Sequence, residues 1–72
     1  MQTLLSTFIK DKRKLLKMTQ RELADRAGVG LRFIRDMEQG KKSLDLEKVN
    51  QVLALFGHEM SPTPKLRSNG HA

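Results

Sequence analysis

The stretch from Thr19 to Gln39, TQRELADRAGVGLRFIRDMEQ, holds two short helical patterns separated by one glycine-bearing turn. Thr19 and Glu22 have the spacing of a capping box, in which the threonine hydroxyl accepts from the Glu22 amide and the Glu22 carboxylate accepts from the Thr19 amide. A helix therefore opens there, carries Leu23, Ala24 and Ala27 inward, and stops at Gly28, a residue suited to the left-handed conformation beyond a helix end. After Gly28-Val29-Gly30 a further helix runs from about Gly30 to Gln39 and is ended by Gly40. Small Ala24 lets the two helices cross closely, and Leu23, Val29, Ile34 and Met37 fill the angle between them.

The flanking segments repeat the helical spacing. Leu4, Leu5, Phe8, Ile9, Leu15 and Leu16 stripe one face of a helix that ends near Lys17, with Lys10, Lys12, Arg13, Lys14 and Lys17 on the other face. After the basic loop Lys41-Lys42-Ser43, either Ser43 or Asp45 caps a last helix carrying Leu46, Val49, Val52, Leu53, Leu55 and Phe56, with Gly57 as its stop. Only 4% of residues are aromatic and no strand-like alternation is present, so the expected fold is all-α, a compact bundle of four to five helices. Residues 1–57 are expected to form one domain. Residues 58–72 read as an extended tail: Pro62 and Pro64 cannot propagate a helix, His58 to Ser61 leave room for a short extended segment, and Lys65 to Ala72 are polar and expected to be disordered.

Seventy-two residues make a marginal core, so a partner that covers apolar surface is expected. Val49, Val52, Leu53, Leu55 and Phe56 spread over more of the last helix than one small core needs. A two-fold homodimer seam is expected at Val52, Leu55, Phe56 and Met60; a monomer whose Leu55 faces water is the alternative. The chain has no cysteine, which removes disulfides and thiolate chemistry. His58 and His71 lack metal-ligand spacing to a second donor, and no Ser-His-Asp set or phosphate-cradling glycine loop occurs, so neither an enzyme nor a cofactor or metal site is expected. No apolar run approaches the roughly 18 residues of a membrane span, and the first residues lack the order of a signal peptide. A cytoplasmic protein that does not bind membranes is the expectation.

Fourteen Lys+Arg against eight Asp+Glu give a net charge of +6, with a pI near 10.2, and favour a polyanionic partner. Two short helices around a glycine turn have the helix-turn-helix geometry, in which the second helix enters the major groove of double-stranded DNA. At about 100° per residue, Phe33, Ile34, Met37 and Glu38 fall on one half of that helix. Arg32, Arg35, Asp36 and Gln39 fall on the other, where arginine matches guanine O6/N7 and glutamine matches adenine N6/N7. Gly30 and Leu31 lie beside this arc, the leucine within reach of a thymine methyl. Thr19, Gln20 and Arg21 at a helix N-terminus, with Lys41 and Lys42 past the reading helix, are candidates for phosphate contacts. A plain solvated face would also account for these charges; the turn and the net charge favour DNA. Glu38, at the edge of the buried half, needs a cationic partner, for which Arg13 is the candidate; snorkelling to water is the alternative.

The residues Thr19 to Ala24, Ala27-Gly28-Val29, Ile34 and Glu38-Gln39-Gly40-Lys41 resemble the XRE family, the lambda and Cro repressor-like helix-turn-helix proteins. The resemblance covers about residues 9 to 56. It implies an all-helical repressor that binds a palindromic operator as a homodimer, with Gln20 on the DNA backbone and Gly30 to Arg32, Arg35, Asp36 and Gln39 facing bases. It also implies that Arg13 pairs with Glu38. More narrowly, Ala27 to Ile34 together with Leu53 to Gly57 is similar to HipB-type antitoxins, which repress their own toxin–antitoxin operon and bind a HipA-type kinase toxin. Pro62 and Pro64 stand where such proteins continue in a strand.

Overall fold

The computed structural model describes residues 3–64, in which four helices follow one another: α1 (Leu4–Leu15), α2 (Gln20–Ala27), α3 (Leu31–Glu38) and α4 (Leu46–Ala54). There is no strand among the described residues, so the fold is all-α with four helices. The expectation for Lys65 to Ala72 lies outside them.

The helix starts are set by side chains. At α1 the Thr3 amide donates to Ser6 Oγ at 2.7 Å and the Ser6 amide donates to Thr3 Oγ1 at 3.0 Å, a reciprocal cap built with serine in place of the usual Glu or Gln. At α2 the Glu22 amide donates to Thr19 Oγ1 at 3.0 Å and the Thr19 amide to Glu22 Oε1 at 2.8 Å. These bonds from Thr19 hold the Glu22 carboxyl below its ordinary range. The cap is accordingly complete above the ordinary carboxylate range and is lost as pH falls below it. Asp45, and not Ser43, caps α4 by accepting from the Lys48 amide at 3.3 Å.

All four helices end alike. An amide just beyond the helix donates five residues back: Met18 to the Arg13 carbonyl at 3.0 Å, Val29 to Ala24 at 3.1 Å, Lys41 to Asp36 at 3.0 Å and His58 to Leu53 at 3.0 Å. Such a closure needs the preceding residue in the left-handed region. Gly28 (φ 76°), Gly40 (φ 84°) and Gly57 (φ 71°) supply it at three ends, and Lys17 (φ 57°) at the fourth. A β-carbon in that region is disfavoured by roughly 1–2 kcal/mol, partly offset by glycine's larger entropy loss on folding. Lys17→Gly is therefore expected to stabilise the fold by about 0.5–1 kcal/mol. Thermal denaturation followed by circular dichroism measures this, and a lower midpoint than that of the unaltered chain would contradict a strained Lys17.

The core is Ile9 from α1, Met18 from the turn after it, Leu23 and Ala24 from α2, Ile34 and Met37 from α3, and Val49, Val52 and Leu53 from α4. α3 packs on α2 and α1, and α4 on α2. Phe8 and Phe56 meet edge to face with centroids 6.3 Å apart, closing the side where α1 passes the end of α4. The long apolar stripe expected of α1 is only partly covered. Ile9 is buried and Leu5 and Phe8 are half-buried, but Leu4, at 90% exposure, and Leu15 and Leu16 face outward. Crossing helices cover each other only near the crossing, so the ends of α1 overhang; Leu46, at the start of α4, is exposed in the same way. The chain remains attached past Gly57. The His58 ring stacks at a tilt on Phe8 with centroids 4.7 Å apart, and the Met60 amide donates to Asn50 Oδ1 at 2.8 Å.

Candidate nucleic-acid interface

α3 divides cleanly into two faces. Ile34, Met37 and Glu38 are buried and Phe33 is half-buried, whereas Arg32, Arg35 and Gln39 are exposed, the Arg32 side chain at 89%. Burial of the apolar half against α1 and α2 fixes the rotation of the helix, so the polar row is held outward by packing and not by its own contacts. Gly30 caps the helix without a side-chain hydrogen bond, and the space where its β-carbon would stand is open. Leu31 is half-buried against the core, so only part of its side chain is available beyond the protein.

Behind that row lies a buried ion pair. Arg13 Nε donates to Glu38 Oε2 at 2.7 Å and Nη2 to Oε1 at 3.0 Å, a two-point contact across α1 and α3. Arg13 Nη1 donates in addition to the Met18 carbonyl at 2.9 Å, inside the closing turn of α1. Gln20 Nε2 donates to Glu38 Oε1 at 3.2 Å. Glu38 is only 3% exposed, and three hydrogen bonds from two residues, Arg13 on α1 and Gln20 on α2, determine where the end of α3 sits. The hydrogen bonding of Arg13 to the Glu38 carboxylate, opposed by burial and aided by the charge of Glu38, raises the guanidinium above its ordinary value. Stability from that shift is complete below the ordinary arginine range and is lost only as pH rises beyond it, so arginine titration does not open the pair near neutrality.

The residues expected to touch phosphates are distributed as follows. Thr19, Arg21, Lys41 and Lys42 are exposed and Gln20 is half-buried. The Thr19 amide donates to Glu22 and Gln20 Nε2 donates to Glu38, so both residues are already engaged within the protein. Asp36, expected as a base-facing residue, is only 24% exposed and is paired on both sides: Arg32 Nε lies 3.7 Å and Lys41 Nζ 3.5 Å from its carboxylate oxygens. The Arg32–Asp36 pair has the i, i+4 spacing of one helix face, whereas the Lys41 and Gln20 contacts depend on where a helix end meets a loop or a second helix.

The residues expected at a dimer seam are not all on the surface. Val52 is completely buried in the core, because α4 turns that side toward α2, and it is not available to a partner. Leu55 and Met60 are 43% and 46% exposed, and Phe56 is half-buried on Phe8. An open apolar groove of about 340 Å³ runs between the start of α1 and residues 58–60, lined by Leu4, Leu5, Phe8, Leu53, His58 and Met60. Among the described residues no cluster of His, Cys, Asp and Glu could hold a metal ion, and no helix is long and apolar enough to cross a membrane.

Residues 9–60 match the Helix-turn-helix family, a span that takes in all four helices except the first turns of α1. Over 45 residues, 62% of this chain, the sequence is 53% identical to a protein of Sinorhizobium fredii named as an uncharacterized HTH-type transcriptional regulator, y4mF. The match spans 59% of that relative's own length.

Proposed function

The chain belongs to the Helix-turn-helix family, and we propose that within it the protein is a sequence-specific DNA-binding transcriptional repressor that acts as a homodimer on a palindromic operator. The observation that carries this reading is the split of α3: one face locked into the core, the other an exposed row of Arg32, Arg35 and Gln39. In this reading Gly30, Leu31, Arg32, Arg35, Asp36 and Gln39 face base edges, and Thr19, Gln20, Arg21, Lys41 and Lys42 grip phosphates. Arg13 and Glu38 hold the reading helix at its angle. The name of the Sinorhizobium relative and the net charge of +6 support the same assignment. DNA as target implies a cytoplasmic location.

Arg35→Ala is expected to weaken binding to the preferred sequence by about 1–3 kcal/mol while leaving the fold intact. Lys41→Ala is expected to weaken all sequences alike and flatten the salt dependence. Sequences enriched by the protein from a random DNA pool, followed by gel shifts at several salt concentrations, test both. Equal loss by Arg35→Ala on enriched and random DNA would remove its base-reading role, and enriched sequences without two-fold symmetry would remove the dimer. Leu55, Phe56 and Met60 remain the candidate seam.

The similarity of Ala27 to Ile34 and Leu53 to Gly57 to HipB-type antitoxins supports a finer reading. The operon controlled would be the protein's own, and the partner neutralised a HipA-type kinase toxin. Co-purification of a kinase-like product of the adjoining reading frame tests it, and an adjoining frame of another kind would leave a stand-alone regulator.

A further inference from the structure

We infer that Asp36 sets the selectivity of the reading helix by holding Arg32 and Lys41 in intramolecular ion pairs that only a well-matched DNA site replaces. This rests on the assignment of α3 as the element that reads DNA.

Asp36 is poorly placed to serve stability. It sits in the last turn of α3, where the negative end of the helix dipole disfavours a carboxylate. Its ion pairs, at 3.7 Å and 3.5 Å, are made to cations whose side chains are 89% and 54% exposed, and pairs of that kind contribute little to folding. It also presents a negative charge on the face expected to approach a polyanion. What it does is bring a base-reading candidate and a phosphate-gripping candidate to one acceptor. Arg32 lies one helical turn before Asp36, and Lys41 folds back from beyond Gly40, where its amide donates to the Asp36 carbonyl.

The consequence differs between sites. On a random duplex, phosphates compete with Asp36 for both cations, and the uncompensated carboxylate is repelled by the DNA, so binding is weakened. On a matched site Arg32 exchanges Asp36 for guanine O6/N7. The released carboxylate then accepts from a cytosine N4–H, a base-edge donor suited to it. Asp36 thus penalises mismatched DNA more than matched DNA, which is specificity by exclusion.

The test is Asp36→Asn, which keeps the shape and removes the charge. The probes are a random-sequence duplex and the duplex that the unaltered chain enriches from a random pool. Expected for the variant are a several-fold gain in affinity for the random duplex and a salt dependence steeper by about one to two on the log–log slope, as the freed cations take up phosphates. The ratio of enriched to random affinity should narrow. The gain should also shrink when Lys41→Gln is already present, because a latch needs both ends whereas simple repulsion does not. Unchanged or weaker binding of Asp36→Asn to the random duplex, or an equal gain with and without Lys41, would overturn the inference. Failure of the unaltered chain to bind any duplex at low salt would instead overturn the DNA-reading assignment on which it rests.

Discussion

Arg13→Met should destabilise the protein by about 3–5 kcal/mol, the cost of leaving a buried carboxylate without its cation. A chain of this length has a total stability on the order of 4–10 kcal/mol, so the single change removes a large share of it. Glu38 is 3% exposed and receives both its short hydrogen bonds from Arg13; the remaining donor, Gln20, is neutral and 3.2 Å away. The double variant Arg13→Met with Glu38→Met should recover most of the loss, because the site then holds apolar groups and no uncompensated charge. Urea denaturation of the single and double variants measures this. If the double variant loses as much as Arg13→Met alone, the cost does not arise from the uncompensated carboxylate. The pair's role in function is separable: a double variant that folds well but binds enriched DNA less selectively would mean that its purpose is the angle of α3.

Ile34→Ala is the second change with a large expected effect, a loss of about 2–5 kcal/mol from the missing side chain and the cavity it leaves. Ile34 is completely buried on α3, which packs against both α1 and α2. Loosening that contact frees the helix to rotate and should also lower discrimination between enriched and random DNA, even though no surface residue has changed. Denaturation and gel shifts on the same samples check the two consequences together. A loss below about 1 kcal/mol, within the range of an ordinary surface substitution, would mean that the inner face of α3 is not seated in the core.

These two sites differ in how far they could be read from the chain. Ile34 and Met37 follow from helical periodicity, and Glu38 at the edge of that stripe demands a cation by charge alone. Arg13, 25 residues away, is the cation that the sequence and the family resemblance already pointed to, but that the Met18 carbonyl and Gln20 complete the cluster depends on how α1, α2 and α3 come together. The same division appears at the helix ends. Gly28, Gly40 and Gly57 declare themselves as stops, but Lys17 adopts the same left-handed conformation without a residue type that signals it. The Thr3 cap has no familiar sequence signature, because Ser6 stands where Glu or Gln is the usual partner.

Whatever is decided within about one helical turn is legible in the chain alone. The Thr19–Glu22 cap, the glycine stops, the all-α class and the polar row of α3 are all set by neighbours a few residues apart, whose energies do not wait for tertiary contacts. The tertiary structure alone decided which of the apolar residues are covered and which polar groups are already engaged. Val52 went into the core while Leu4, Leu15 and Leu16 stayed outside, because coverage depends on where helices cross and end. Asp36, one turn from Arg32 on the same helix, gained Lys41 as a second partner because the turn after Gln39 folds that lysine back along α3. A helical wheel holds the direction of each side chain about its own axis. It does not hold the position of the next helix, and that position turns a row of charges into an interface with some of its cations already held.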